Sequence, residues 1–382
     1  MPEPLIAQVA RWARDLPDAP AYVFADYLGD GSRHTLTWGQ ADLRARALAV
    51  RLSELAGPGE RAAILVPQGL DHVVALLGAM YAGLVSVPRA SSSDALVMTH
   101  SAAPVQARGR PVVVVDEVPD TLAGQWQDRR ADPDEVACLL DGRVEITHGN
   151  LAAAAARLLD AFQPASWVSW LPLSHGLGLV PTVALPAASG GRAVFMDPAA
   201  FVLRPARWLE LLGEHPGCCT AAPNFAFEYA AARVTAAERA VLDLSGVRVM
   251  LNGAEPVRPG TIDAFHAAFA GCGLRPESHT PCYGPAEASG FAAAMERDAV
   301  PVVTDFDRDA LRGGRGVPYG MGARSTHVSC GRPDPRTLAI FGADGARLPD
   351  GHVGEIRVRG PHAAAGGSLM AAGWVRTGDT GL

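Results

Sequence analysis

The sequence predicts a layered α/β fold with largely parallel sheets: two β-sheet subdomains flanked by helices, followed by a small β subdomain. Three observations carry this reading. Short apolar runs alternate with amphipathic stretches of helical period along most of the chain. Apolar residues make up 48% of 382 and charged ones 19%, enough to bury a sizeable core over two or three units of about 150 residues each. From about residue 328 the pattern changes to short strands separated by Pro/Gly turns, with no helix between them.

The expected strands follow from composition. Residues 61–67, 136–140 and 218–222 are near-continuous apolar runs of strand length, as buried parallel strands require. The run 111–115 is almost all valine, 167–172 and 192–196 mix aliphatic and aromatic residues, and 247–252 is aliphatic apart from Arg248 and Asn252. Helical periodicity covers 38–55, 69–82, 150–162, 205–213, 224–233 and 259–270. The segment 297–326 is rich in Gly, Arg and Asp, lacks periodicity and reads as a linker, and 337–341 and 355–359 read as strands beyond it. The expected domains are therefore an α/β core over 1–326, with a break near 165–180, and a β subdomain over 327–382. Two Ala/Ser/Pro-rich patches, 89–95 and 363–372, read as shortened or mobile loops.

Composition also excludes. A net charge of −7 without a basic cluster argues against nucleic acid or an anionic membrane surface as partner. The six cysteines form no C-x-x-C pair, no His/Cys spacing suggests a metal site, and no apolar stretch reaches membrane-spanning length. A reduced, cytoplasmic chain is expected. All 33 basic residues are arginine. Arginine stays protonated, so any mechanism that needs a lysine nucleophile from this chain is excluded.

Four segments combine residues suited to chemistry. Trp170-Leu-Pro-Leu-Ser-His175-Gly-Leu-Gly-Leu179 places a histidine and two glycines after a buried strand. Asn252-Gly253-Ala254-Glu255 ends another strand in a polar turn, Cys282-Tyr283-Gly-Pro-Ala-Glu287 joins an aromatic platform to a carboxylate, and Thr377-Gly378-Asp379 is a tight acidic turn. In open α/β sheets such loops converge beyond the carboxyl ends of the strands. Singly, each has a plainer reading: a packed histidine, a closed turn, a helix cap, a buried cysteine. Ser174 and His175 are adjacent and point apart on an extended chain, so they are no nucleophile–base pair.

Order and spacing add to this. Together with Ser169-Trp-Leu-Pro-Leu, Arg204-Pro-Ala-Arg-Trp208, Ala222-Pro-Asn-Phe-Ala-Phe-Glu228, Asn252-Gly-Ala-Glu-Pro-Val-Arg258 and Ser329-Cys-Gly-Arg-Pro333, the segments resemble the N-terminal region of the adenylate-forming superfamily, in its fatty-acyl-AMP ligase branch. The resemblance implies an acyl-adenylate-synthetase-type fold. It implies that Asn252, Gly253, Ala254 and Glu255 line an adenine pocket, that Tyr283 stacks on adenine and that Asp379 accepts from ribose hydroxyls. It further implies that Glu287 helps hold magnesium, that His175 stands near the acyl carbonyl, and that the helix carrying Asn224, Phe225 and Phe227, with Trp170, belongs to the acyl-binding wall.

Two departures shape the functional expectation. The family's Ser/Thr/Gly-rich phosphate loop, ending in Pro-Lys-Gly, is replaced by Ala137-Cys-Leu-Leu-Asp-Gly-Arg-Val-Glu-Ile146. One Gly and Arg143 supply few of the backbone N–H groups an anion cradle needs, and Asp141 and Glu145 repel phosphate. The chain also ends shortly after Asp379, without the family's C-terminal lid and its lysine. The expectation is a protein that requires no cofactor, having lost ATP and magnesium use. It would act on an acyl group borne by a carrier protein in a polyketide- or peptide-type pathway, with His175 as general acid/base, Glu287 orienting and Cys282 a lesser nucleophile. A non-catalytic acyl- or carrier-binding scaffold, and a ligase region completed by a partner chain, are the alternatives.

Overall fold

The computed structural model describes residues 3–88, 94–105, 107, 109–364 and 370–382. Residues 89–93 of the patch at 89–95, and residues 365–369 of the patch at 363–372, lie outside the described residues. The chain divides into two compact units, Met1–Leu203 and Arg204–Leu382.

The first unit holds a six-stranded sheet in the order Val112–Val114, Leu96–Thr99, Arg61–Ile64, Val85–Val87, Val136–Leu140, Val144–Thr147. Its pairs are parallel except the last, an antiparallel hairpin. The turn of that hairpin has Asp141 and Gly142 both at positive φ, +51° and +72°, the backbone state that short hairpin turns favour. A further four strands of this unit run Ser166–Ser169, Ala193–Met196, Pro20–Ala25, Arg33–Thr37, again parallel until a final antiparallel hairpin. Apolar content decides which elements go inside. The helix Leu70–Ala82 is buried continuously from His72 to Ala82, consistent with its being apolar on every face. The helices Trp38–Ser53 and His148–Phe162 start at reciprocal caps, Thr37 with Gln40 and Thr147 with Asn150, which satisfy the first free N–H groups.

In the second unit, Cys218–Pro223, Val249–Gly253 and His279–Tyr283 lie parallel in that order, and Ala293–Ala294 pairs antiparallel with the last. The helices Asn224–Arg233 and Pro259–Phe269 follow two of these strands. A separate antiparallel sheet has the order Leu338–Phe341, Gly354–Val358, Trp374–Gly381, Met370–Ala371. Between the sheets lies an apolar cluster of Ala288, Ala292, Val358, Ala363 and Val375, against which Tyr283 and Leu338 pack. The segment read as a linker is ordered instead: Val303–Asp307 and Arg324–Val328 form an antiparallel pair around the short helix Arg308–Arg312. Asp307 caps that helix through the N–H groups of Asp309 and Ala310. The division between the two compact units falls after Leu203, and no described helix is long and apolar enough to cross a membrane.

Candidate functional site

The second unit gathers most of the expected site residues at the carboxyl ends of its parallel strands. Tyr283, the last residue of its strand, donates its phenol to Oδ2 of Asp379 at 2.6 Å. Burial, and then this hydrogen bond to a carboxylate, push the phenol's pKa up, so Tyr283 remains a donor at neutral pH. Asp379 lies on the strand Trp374–Gly381 and is exposed; its N–H reaches the Thr377 hydroxyl at 3.1 Å, and that hydroxyl donates to the Ile356 carbonyl at 2.7 Å. The tight acidic turn is thus tied to the neighbouring strand, and a carboxylate is held beside a half-buried aromatic ring.

One strand away, Asn252 is wholly buried, with its amide 2.9 Å from Nε2 of His279. His279 sits among Phe227, Phe265 and His266, and burial pulls its pKa down to about 3, so the ring is neutral. After Asn252 the chain must pass close to the next strand. A Cβ on Gly253 would stand 2.6 Å from Cys282 Sγ and 2.8 Å from the Cys282 carbonyl, so only glycine fits without a shift. Ala254 follows at φ +65°. Glu255 then accepts the Phe225 N–H at 2.5 Å, occupying a free donor at the N-terminal end of the helix Asn224–Arg233.

Several expected site residues have packing duties. Asn224 donates to the Thr261 hydroxyl at 3.1 Å and accepts the Arg258 N–H at 3.0 Å, joining the helices Asn224–Arg233 and Pro259–Phe269. Phe227 is fully buried against Trp208, Phe265 and His279, whereas Phe225 is 48% exposed. Cys282 is buried and its thiol pKa is raised by that burial, which disfavours the thiolate a nucleophile needs. Glu287 is a buried carboxylate in the short turn after Tyr283, and its carbonyl accepts the Ala364 N–H at 2.8 Å.

Trp170 and His175 belong to the first unit. Trp170 is buried and stacked on Phe201, with centroids 4.0 Å apart and planes 10° apart. His175 is exposed; its Nδ1 accepts the Leu177 N–H at 3.2 Å and caps the short helix Gly176–Leu179. When neutral, this ring carries its proton on Nε2, which makes the outward nitrogen a donor rather than a base. A Cβ on Gly178 would collide with the Pro172 carbonyl, which accounts for the second glycine of the motif. One group of ligand-type side chains was not foreseen from spacing. The hairpin at Asp26, Asp30 and His34 brings their donor atoms within 4.8 Å of one another, because the chain reverses between them.

The family described as AMP-binding enzyme matches residues 9–137 and 143–366, which include Tyr283 and the Asn252–Glu255 turn. The chain belongs to that family. Within this AMP-binding family it is similar to the long-chain-fatty-acid–AMP ligase FadD32 of Mycobacterium marinum, at 35% identity over 451 positions covering 99% of this chain and 72% of the relative. FadD26 of the same organism is 33% identical, over 96% of this chain and 74% of the relative. The alignment to FadD32 is longer than the 382 residues of this chain, so the chain is shortened internally. Among solved structures, a fatty acyl-adenylate ligase from L. pneumophila in complex with acyl adenylate and pyrophosphate superposes with a TM-score of 0.91 at 26% identity, covering 99% of this chain and 75% of that one. The adenylation domain of a keto acid-selecting NRPS module shares the fold at a TM-score of 0.82 and 20% identity.

This membership corrects one expectation. A chain that requires no cofactor, with ATP and magnesium use lost, is overturned by its place in an AMP-binding family alongside fatty-acid–AMP ligases. The expectation leaned on a shortened loop and on the lysine of a C-terminal lid, neither of which outweighs that membership. The tight hairpin turn at Asp141 and Gly142 does coincide with the break in the family match at 138–142. A change confined to that turn leaves the Tyr283–Asp379 pair standing in the other unit.

Proposed function

We propose that this chain binds a fatty acyl adenylate and belongs to the chemistry of acyl activation, with the adenosine held in the second unit. The observation that carries the reading is the 2.6 Å contact between Tyr283 and Asp379 at a strand end. The ring offers a flat apolar face to a base. Asp379, exposed and fixed by Thr377, is an acceptor of the kind vicinal ribose hydroxyls seek. Asn252, Gly253, Ala254 and Glu255 form the adjoining turn in this reading, and Glu287 is the buried carboxylate behind it.

The activation would reside in the bound acyl adenylate itself, a mixed carboxylic–phosphoric anhydride: a thiol attacking its carbonyl would form the thioester and release AMP as the leaving group. The chain's own residues bind and orient. In the first unit, His175 has its Nδ1 engaged by the Leu177 N–H, which leaves Nε2 to donate when the ring is neutral. Any cationic help near phosphate from this lysine-free chain comes from arginine. The acyl acceptor in this reading is the thiol of an acyl or peptidyl carrier protein.

The test is calorimetric titration with AMP and with an acylsulfamoyl adenosine, a stable analogue of an acyl adenylate. The analogue is expected to bind more tightly than AMP, and Asp379→Ala to weaken both by about ten-fold or more, about 1.4 kcal/mol. Absence of binding by either compound contradicts the reading.

A further inference from the structure

We propose that the first unit carries a second small-molecule site, beside the helix Leu5–Asp15, that takes a small organic anion with a flat apolar body. A cavity of about 460 Å³ lies there, within the range of small-ligand pockets. Its residues come from the helices Leu5–Asp15 and Trp38–Ser53, the end of Leu70–Ala82, and the segment after Gln125. Every lining residue lies in the first unit, so the cavity is separate from the Tyr283–Asp379 pair.

The walls specify the ligand. On one side Trp126 packs against the buried Tyr81 with ring centroids 5.1 Å apart, an aromatic surface suited to a flat apolar group. The Tyr81 phenol is itself satisfied, donating to Asp42 at 2.7 Å, and Asp42 also pairs with Arg46 at 2.7 Å. That leaves Arg46 Nε buried without a hydrogen-bond partner, a state that costs free energy until an acceptor arrives. At the rim stand Arg14 and Arg130, both exposed and neither with a carboxylate partner among the described residues. Three carboxylates also line the cavity, but Glu3 is paired with Arg11 at 3.4 Å and Asp42 with Arg46. Asp128 alone offsets the two rim guanidiniums, so positive charge is in surplus.

Arg130 is also held in an unusual place. Its φ is +50°, a left-handed conformation that a residue with a side chain adopts at a cost. The Arg130 N–H donates to Asp128 Oδ1 at 2.9 Å and fixes the turn. Strain of this kind persists where surrounding structure enforces it, and it collects at ligand sites. A sulfonate, carboxylate or phosphate at the rim would meet Arg14 and Arg130, with the body of the ligand on Trp126.

The experiment is fluorescence titration of the full chain with 8-anilinonaphthalene-1-sulfonate, a planar aromatic anion. Saturable binding at one site is expected. The exposed double substitution Arg14→Ala with Arg130→Ala should weaken it about ten-fold or more, Ala10→Trp should fill the cavity and abolish it, and excess AMP should leave it unchanged. No binding, binding that both variants leave within two-fold of the original, or displacement by AMP would each overturn the proposal.

Discussion

The Tyr283 phenol and the Asp379 carboxylate meet at 2.6 Å across 96 residues of sequence. Each is fixed from behind, Tyr283 by the apolar cluster of Ala288, Val358 and Val375, and Asp379 by the Thr377 hydroxyl. The contact needs both sheets of the second unit, so it reports on whether that unit has closed correctly. Tyr283→Phe removes the hydrogen bond and keeps the ring. In an exposed setting that bond contributes about 1 kcal/mol, so unfolding free energy should fall by roughly that amount while AMP affinity stays within about three-fold. Tyr283→Ala removes the platform, and its AMP affinity should fall about ten-fold or more by titration.

Acid should destabilise the protein above the range where most carboxylates protonate. Burial holds His279 down to about 3 and His148 to about 4, well below the unfolded value of about 6.5. The unfolded chain therefore binds protons at these positions first. Their contribution to stability is complete above about pH 6.5 and is lost as pH falls from there toward the folded values, at up to about 1.4 kcal/mol per pH unit for each histidine. Urea midpoints between pH 7 and 5 should fall, and His279→Phe should flatten part of that slope. An equal slope in the variant would remove His279 from the explanation.

Thiol reagents should leave the native site untouched. Burial raises the Cys282 thiol pKa and pushes Cys138, Cys218 and Cys219 to about 12. Mass spectrometry after brief iodoacetamide treatment at pH 7.5 is expected to find Cys282 unmodified in the native protein and alkylated in urea. Cys282→Ala should retain AMP binding. Rapid native labelling of Cys282, or loss of AMP binding in that variant, would return it to the list of reactive groups.

Gly253 tests the close approach of two strands. Its added Cβ in Gly253→Ala would stand 2.8 Å from the Cys282 carbonyl as well as 2.6 Å from its sulfur. Backbone cannot retreat as a side chain can, so combining the change with Cys282→Ala should restore only part of a loss of about 1–3 kcal/mol. Denaturant unfolding of the two variants measures the difference.

Much of the fold is legible because apolar length and period decide it. The runs read as buried strands at 136–140 and 218–222 are the strands Val136–Leu140 and Cys218–Pro223, and the helix read at 69–82 is Leu70–Ala82. His279–Tyr283 is harder to see. His-Thr-Pro-Cys-Tyr carries a proline and lacks alternation, and only its neighbours Val249–Gly253 and Ala293–Ala294 make it a strand. The hairpin of Val303–Asp307 and Arg324–Val328 has no fully buried residue and is largely polar and charged, so no apolar face announces it. At the candidate site, Tyr283 and Asp379 are named by motif, but their contact is tertiary and no spacing predicts it. Asn224 and Phe227 stand in a motif too, and there the structure engages them in joining helices and filling the core.

The most direct measurement is calorimetric titration of the full chain with AMP, run beside Asp379→Ala. The account predicts saturable binding by the original chain and an affinity about ten-fold or more weaker in the variant, with both proteins unfolding at similar urea concentrations. Equal AMP affinity in the two would contradict the assignment of adenosine to the Tyr283–Asp379 pair.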